Sequence, residues 1–330
     1  MYEFNRHQGG HIAIKCVIIF ALSRFKCVSL FMRFGSASGS PPSDYALPPD
    51  HPGITRVLGG KKAEHPKVFA GGVLWADERF KGLIYPPDTR PADYVRQYTR
   101  QFSTIELNAT HYRMPGPDTL QRWSEVAPEG FRFCPKIPRE ISHAADLLPM
   151  IGFHNACTDL FGLLGEKLGP CFMQLPPHFS PARVEELITF LDNSECRRLA
   201  VELRHEDWFR AQPAFNRLCN FLYKNTMGLV ITDTPGRRDV IHMRLTSRFV
   251  LVRFKACGDR QIDRQRMKDW LWRLRAWLET GLEEFYFFIH TEDKTEMPSL
   301  AVEFTEDLAS VCDIRLTPPR IIRQEPEQLF

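Results

Sequence analysis

The sequence predicts an α/β protein, a single closed barrel of eight β/α repeats, and three observations lead there. From Lys67 onward, short β-branched or aromatic runs alternate with longer stretches of helical period. Eight such runs occur, and eight β/α repeats in about 250 residues is the size of one (β/α)8 barrel of the TIM type. No G-x-G-x-x-G follows the first run and no G-x-x-x-x-G-K-[ST] occurs anywhere; the turn after that run reads Trp75-Ala76-Asp77. The runner-up, a doubly wound open sheet, therefore lacks the anion-cradling loop of its dinucleotide and P-loop forms.

In chain order, the expected strands cover residues 68–75, 104–108, 131–137, 171–175, 199–203, 229–232, 249–254 and 285–289. The expected helices cover 91–102, 117–126, 155–168, 181–192, 214–225, 263–280 and 299–311. Pro91, Pro117 and Pro181 stand where prolines open helices. Gly228 and Gly281 stand where helices stop. The clearest helix carries Met267, Trp270, Leu271, Leu274, Trp277 and Leu278 on one face. The sixth crossover, 234–248, lacks a convincing helical pattern and is expected to be irregular.

The 330 residues are 43% hydrophobic and 25% charged, an ordinary globular composition that excludes a collagen, a coiled coil and a mostly disordered chain. Lys+Arg 43 against Asp+Glu 40 gives +3, too weak a field to indicate a nucleic-acid or membrane partner by itself. The nine cysteines are scattered and never paired as C-x-x-C. They read as reduced, buried small side chains of a cytoplasmic protein rather than a disulfide scaffold or a structural zinc site. Residues 1–65 are expected to be a poorly ordered extension and linker, 66–314 the barrel, and 315–330 a loose tail. The apolar run 12–22 holds Lys15 and is followed by Arg24 and Lys26. These charges argue against both a spanning helix and a secretory signal, so no membrane partner is expected. Met32 is a candidate start of the native chain.

Alternation selects the candidate site. Side chains two apart on a strand share a face, and in a barrel the inward ones near the C-terminal mouth build the active site. Strand two ends with Glu106 and Asn108 on one face, followed by Tyr112 and Arg113. Strand three offers Lys136, with His143 after it; strand four offers Gln174. Strand five sets Glu202 and Arg204 on one face, followed by His205 and Trp208. Strand six ends at Asp233, strand seven carries Arg253 and Lys255, and strand eight ends at His290. Carboxylates at strand ends need nearby cations, because a buried unpaired charge costs several kcal/mol.

Such a set can do acid–base chemistry. Glu106, Lys136, Glu202 and Asp233 are the candidate catalytic groups; the others are candidate binding groups, with His143, His205 and His290 as proton shuttles. Tyr112 and Trp208 are candidate platforms, though such residues more often pack. His111 and His242 read as surface or satisfied residues. No cofactor is expected. A divalent metal on Glu106, Glu202, Asp233 and His290 is disfavoured by the interleaved Lys and Arg and by the lack of H-x-x-x-H or H-x-H spacing in this region. The expectation is a hydrolase- or isomerase-type enzyme for an anionic, phosphorylated or sugar-like ligand. The alternatives are a barrel binding nucleic-acid backbone, similar in outline to the endonuclease IV class, and a non-catalytic scaffold.

Several segments carry a family resemblance: 103–113 (STIELNATHYR), 128–136 (PEGFRFCPK), 138–143 (PREISH), 168–176 (LGPCFMQLP) and 200–209 (AVELRHEDWF). Weaker matches are Tyr85-Pro86-Pro87, 230–233, 242–245 and Phe287-Phe288. Over residues 68–312 the chain resembles the YecE-like family, a domain of unknown function numbered 72. The resemblance implies a TIM-type barrel and implies no reaction. Four places depart from the family pattern. His111 stands where many members have Phe, Lys255 where many have His, and His290-Thr291 where many have an Asn pair. Gly72-Val73-Leu74-Trp75 replaces a Ser-Gly-Trp turn. The ligand is expected to differ accordingly.

Overall fold

The computed structural model describes residues 45–210 and 212–322, all within one compact unit, Gly35–Phe330. The readings of 1–44, the Met32 start among them, fall outside the described residues, as do those of 323–330. The fold is mixed α/β, built on parallel strands.

All eight expected strands form: β1 (Lys67–Gly71), β2 (Thr104–Leu107), β3 (Arg132–Pro135), β4 (Cys171–Gln174), β5 (Leu199–Glu202), β6 (Gly228–Asp233), β7 (Phe249–Lys255) and β8 (Glu284–His290). The helices are α1 (Ile54–Leu58), α2 (Tyr94–Gln101), α3 (Ala109–Tyr112), α4 (Pro117–Val126), α5 (Arg139–Ser142), α6 (Ile151–Phe161), α7 (Val184–Asp192), α8 (Asp207–Arg210), α9 (Gln212–Lys224), α10 (Arg260–Thr280) and α11 (Met297–Cys312). The helix α10 begins earlier than the apolar pattern suggests, because the Asp259 carboxylate accepts from the amides of Gln261 and Ile262 at 3.0 Å. As expected, 234–248 holds no helix.

The ladder is not one closed ring. Six strands pair in the order β1-β8-β7-β6-β5-β4, and β2-β3 form a separate pair. Side-chain hydroxyls interpose between β1 and β2. Ser103 Oγ accepts from the Ala70 amide at 2.9 Å, and Tyr98 OH accepts from the Gly72 amide at 2.7 Å. Two backbone bonds still cross this gap, from Ser103 N to Ala70 O at 3.2 Å and from Glu106 N to Gly72 O at 3.1 Å. The strands approach so closely that a Cβ on Gly71 would stand 1.9 Å from Thr104 O, which only glycine permits. Between β3 and β4, Pro135 brings no amide hydrogen to the ladder. That gap is crossed by Gly169 N to Phe133 O at 2.7 Å and Ile137 N to Phe172 O at 2.9 Å.

Strand parity then sorts the side chains. On one face, Phe69, Cys134, Phe172, Ala200, Val230, Phe249, Leu251, Tyr286 and Phe288 from both ladders form a single apolar cluster. On the other face, side chains such as Ile231, Val250, Val252 and Phe254 pack with Met267, Trp270, Leu271 and Leu274 of α10. Burying each such large side chain contributes about 1.5–3 kcal/mol.

Both ends of the described chain are tied down. Within the stretch expected to be poorly ordered, the Asp50 carboxylate accepts from Arg273 at 2.6 Å and from the Trp277 indole at 3.1 Å. Within the expected loose tail, Ile322 N donates to Leu83 O at 2.7 Å. Seven of the cysteines are described, and all are free thiols. Among the described residues, no helix is long and apolar enough to cross a membrane.

Candidate functional site

Step two residues along each strand from the apolar cluster and the side chains become polar. Cys134 leads to Lys136, Phe172 to Gln174, Ala200 to Glu202, Val230 to Thr232, Leu251 to Arg253 and Phe288 to His290. On β2 the same step from Thr104 reaches Glu106. The parity that fills the lower layer with apolar groups thus builds an ionic layer above it.

Arg253 is its centre. Its Nε and Nη2 donate to Glu106 Oε2 and Oε1, both at 2.8 Å. Its Nη1 donates to both oxygens of Glu202 at 2.9 and 2.8 Å. The network continues outward. Asn108 Nδ2 donates to Glu106 Oε1 at 2.8 Å, and His290 Nε2 lies 2.9 Å from Glu106 Oε2. A carboxylate only accepts, so that histidine nitrogen carries the hydrogen. Thr232 Oγ1 donates to Glu202 Oε1 at 3.0 Å, and Gln174 Nε2 to Glu202 Oε2 at 2.8 Å. Lys136 Nζ donates to Gln174 Oε1 at 2.9 Å. Glu106, Glu202, Arg253 and Lys136 are all buried. Two cations and two carboxylates cancel, which is what a layer this dry requires.

The electrostatics separate the groups. Burial opposes ionisation of Glu106, but Arg253 and His290 outweigh it and hold the carboxyl well below its usual range. Burial also opposes the charge on Arg253, and the two carboxylates overcome it and raise its affinity for the proton. For Lys136, burial and then repulsion from Arg253 prevail over the carboxylates and lower the ammonium to about 8. Burial, partly offset by Glu106, lowers His290. Burial, then Arg139 and Lys136, lower His143 to about 4. Glu106 is therefore a fixed anion, while Lys136 is the group poised to change charge near neutral pH.

Of the expected site residues, Glu106, Asn108, Lys136, Gln174, Glu202, Arg253 and His290 meet in this one network. Arg204 interacts electrostatically with Glu202 and Arg253. His143 lies among Lys136, Arg139, Arg204 and His178. Lys255 shares the face of Arg253 and is partly exposed.

Four expectations need correction. Asp233 is not in the layer. It falls on the opposite parity, with Ile231, and its carboxylate accepts from Arg238 at 2.5 Å, Arg266 at 2.7 Å and the Trp270 indole at 2.8 Å beneath α10. Trp208 is no platform: it is wholly buried in apolar packing, and its indole donates to Phe179 O at 2.8 Å. His205 accepts from the Asp207 amide at 3.2 Å, a local turn. Tyr112 and Arg113 lie exposed outside the layer.

Two groups went unrecognised in the sequence. Thr232 was signalled by its parity with Val230. His111, read as surface or satisfied, is wholly buried, and its Nδ1 lies 2.8 Å from Ile137 O. Among the described residues, no three His, Cys, Asp or Glu side chains are grouped as metal ligands.

Comparison with known proteins places the chain beside others of the same kind. The model of the family described as "Protein of unknown function DUF72" matches residues 69–322. The UPF0759 protein YecE of Escherichia coli (strain K12) is 30% identical over 233 residues, covering 65% of this chain and 85% of that protein. The UPF0759 protein YunF of Bacillus subtilis (strain 168) is 24% identical over 181 residues, covering 51% of this chain and 61% of that protein. A DUF72 family protein from Enterococcus faecalis V583 superposes with a TM-score of 0.53 at 17% identity, covering 80% of this chain and 100% of that chain. One from Thermotoga maritima MSB8 superposes with a TM-score of 0.52 at 23% identity, covering 68% of this chain and 92% of that chain. These two structures speak to the fold alone.

Proposed function

The chain belongs to the DUF72 family, and from that premise we propose that it is a hydrolase- or isomerase-type enzyme. It binds an anionic, phosphorylated or sugar-like ligand at the C-terminal mouth of a TIM-type barrel. In this reading the two ladders are the wall of one barrel. Support comes from the apolar cluster that both ladders share and from the pair of backbone hydrogen bonds that crosses each gap.

One observation carries the functional reading. Lys136 is buried in a charge-balanced layer, it is lowered to about 8, and besides that layer it interacts with Arg204 and with His143, which stays neutral. Glu106 and Glu202 are saturated by donors and serve to hold Arg253 and Gln174 in place. Lys136 then meets the anion and moves the proton. Donors fixed in advance need no reorganisation when charge develops, which is the main source of electrostatic catalysis.

Titration of the full chain with inorganic phosphate tests this. Above the second ionisation of phosphate, affinity should fall as pH rises through about 8, because the protonated ammonium is the binding form. Lys136→Met should weaken binding tenfold or more, since a hydrogen bond to a charged group contributes about 1.5–3 kcal/mol. Lys136→Arg should retain much of it. Phosphate affinity that ignores both pH and Lys136→Met would refute the site. Phosphate binding without turnover of any phosphorylated sugar would retain the site and remove the enzyme.

A further inference from the structure

His111 and His143 stand beside this layer with their tautomers set by their neighbours. His111 Nδ1 faces the Ile137 carbonyl oxygen at 2.8 Å. A carbonyl only accepts, so Nδ1 carries the hydrogen and Nε2 is a bare lone pair. That Nε2 is buried and has no hydrogen-bond partner. His143 Nδ1 lies 3.0 Å from Ser142 Oγ, and Ser142 spends its one hydrogen on Pro138 O at 3.2 Å. With the Ser142 hydroxyl directed at Pro138 O, its oxygen accepts from His143 Nδ1, and the Nε2 of His143 is then the unprotonated nitrogen. The two rings meet nearly edge to face, with centroids 5.4 Å apart.

Burial, then Lys136, lower His111 to about 3; burial, then Arg139 and Lys136, lower His143 to about 4. Both imidazoles are thus neutral acceptors at physiological pH, set among cations. The cations attract an anion. The lone pairs repel a fully ionised oxygen and accept from one that carries hydrogen. A buried acceptor without a donor is costly, which makes His111 Nε2 the feature that needs a ligand to complete it. Tyr112, 58% exposed, packs edge-on against His111 at 5.2 Å.

We propose that His111 and His143 make the site selective for an oxyanion that also donates a hydrogen bond, such as hydrogen phosphate or a hydroxylated phosphoryl compound, over a fully ionised one such as sulfate. This rests on the anion site proposed above. The test is calorimetric titration of the full chain with inorganic phosphate and with sulfate, at equal ionic strength and pH 7.5. Sulfate has nearly the same size and shape but carries no proton there. The wild type should bind phosphate at least tenfold more tightly than sulfate. His111→Phe, which keeps a ring and removes the lone pair, should bring the ratio close to one by weakening phosphate, with sulfate affinity unchanged or higher. His143→Phe, at the more exposed ring, should give the same loss of preference if His111→Phe does not fold. Equal affinities in the wild type, or an unchanged preference in the Phe variants, overturn the selectivity and leave the anion site standing. Binding of neither ion removes the anion site itself, and the selectivity with it.

Discussion

Replacing Arg253 by methionine should cost roughly 3–5 kcal/mol of unfolding free energy, the usual penalty for removing one partner from a buried ion pair. The reason lies in what the substitution leaves behind. Glu106 and Glu202 are buried carboxylates that share this one guanidinium. Without it, two like charges face each other in a dry layer. The pH dependence should change sign. In the wild type Glu106 titrates well below its usual range, so its contribution is present above the ordinary carboxylate pKa and is lost as pH falls through the depressed value. In Arg253→Met burial raises the folded pKa instead, and stability should increase as pH falls from 7 to 5. Urea unfolding at both pH values measures this. Adding Glu106→Gln to the variant should recover part of the loss. A single variant within 1 kcal/mol of wild type would show that Arg253 does not hold the layer together.

Replacing Asp233 by asparagine should also destabilise, by roughly 3 kcal/mol, but should leave phosphate affinity unchanged. Asp233 is fully buried and receives hydrogen bonds from Arg266, Arg238 and the Trp270 indole. Asparagine preserves the shape and removes the charge that Arg266, itself buried, needs beyond its pairing with Asp263 at 2.7 Å. The combination of results matters. Lost stability with intact phosphate binding marks Asp233 as a clamp between β6 and α10. Lost phosphate binding at full stability would return it to the mouth.

The sequence was most legible where one physical rule acts alone. Strand parity found Glu106, Lys136, Gln174, Glu202, Arg253 and His290, because one-face burial forces a period of two. Asp233 ends its strand but is out of step with Val230; the residue in step is Thr232. A tryptophan after a strand end has the same sequence signature whether it binds or, as Trp208 does, packs. The break in the ladder is invisible to hydrophobic pattern. It arises where Ser103 and Tyr98 hydroxyls take up strand amides and where Pro135 supplies none. The Ser- and Pro-rich stretch before Pro52 reads as linker, yet Asp50 is tied to Arg273 and Trp277, partners far along the chain. His111 carries no sequence signal, because only its neighbours, Ile137 and His143, reveal an acceptor without a donor.

The anion's place beside Lys136 is open to test in a crystal of the full chain soaked in inorganic phosphate. Tetrahedral density is expected within hydrogen-bond distance of Lys136 Nζ, bounded by Arg204 and His143, with the Glu106–Arg253–Glu202 layer unmoved. Phosphate bound only elsewhere, with the surroundings of Lys136 empty at saturating concentration, would contradict it.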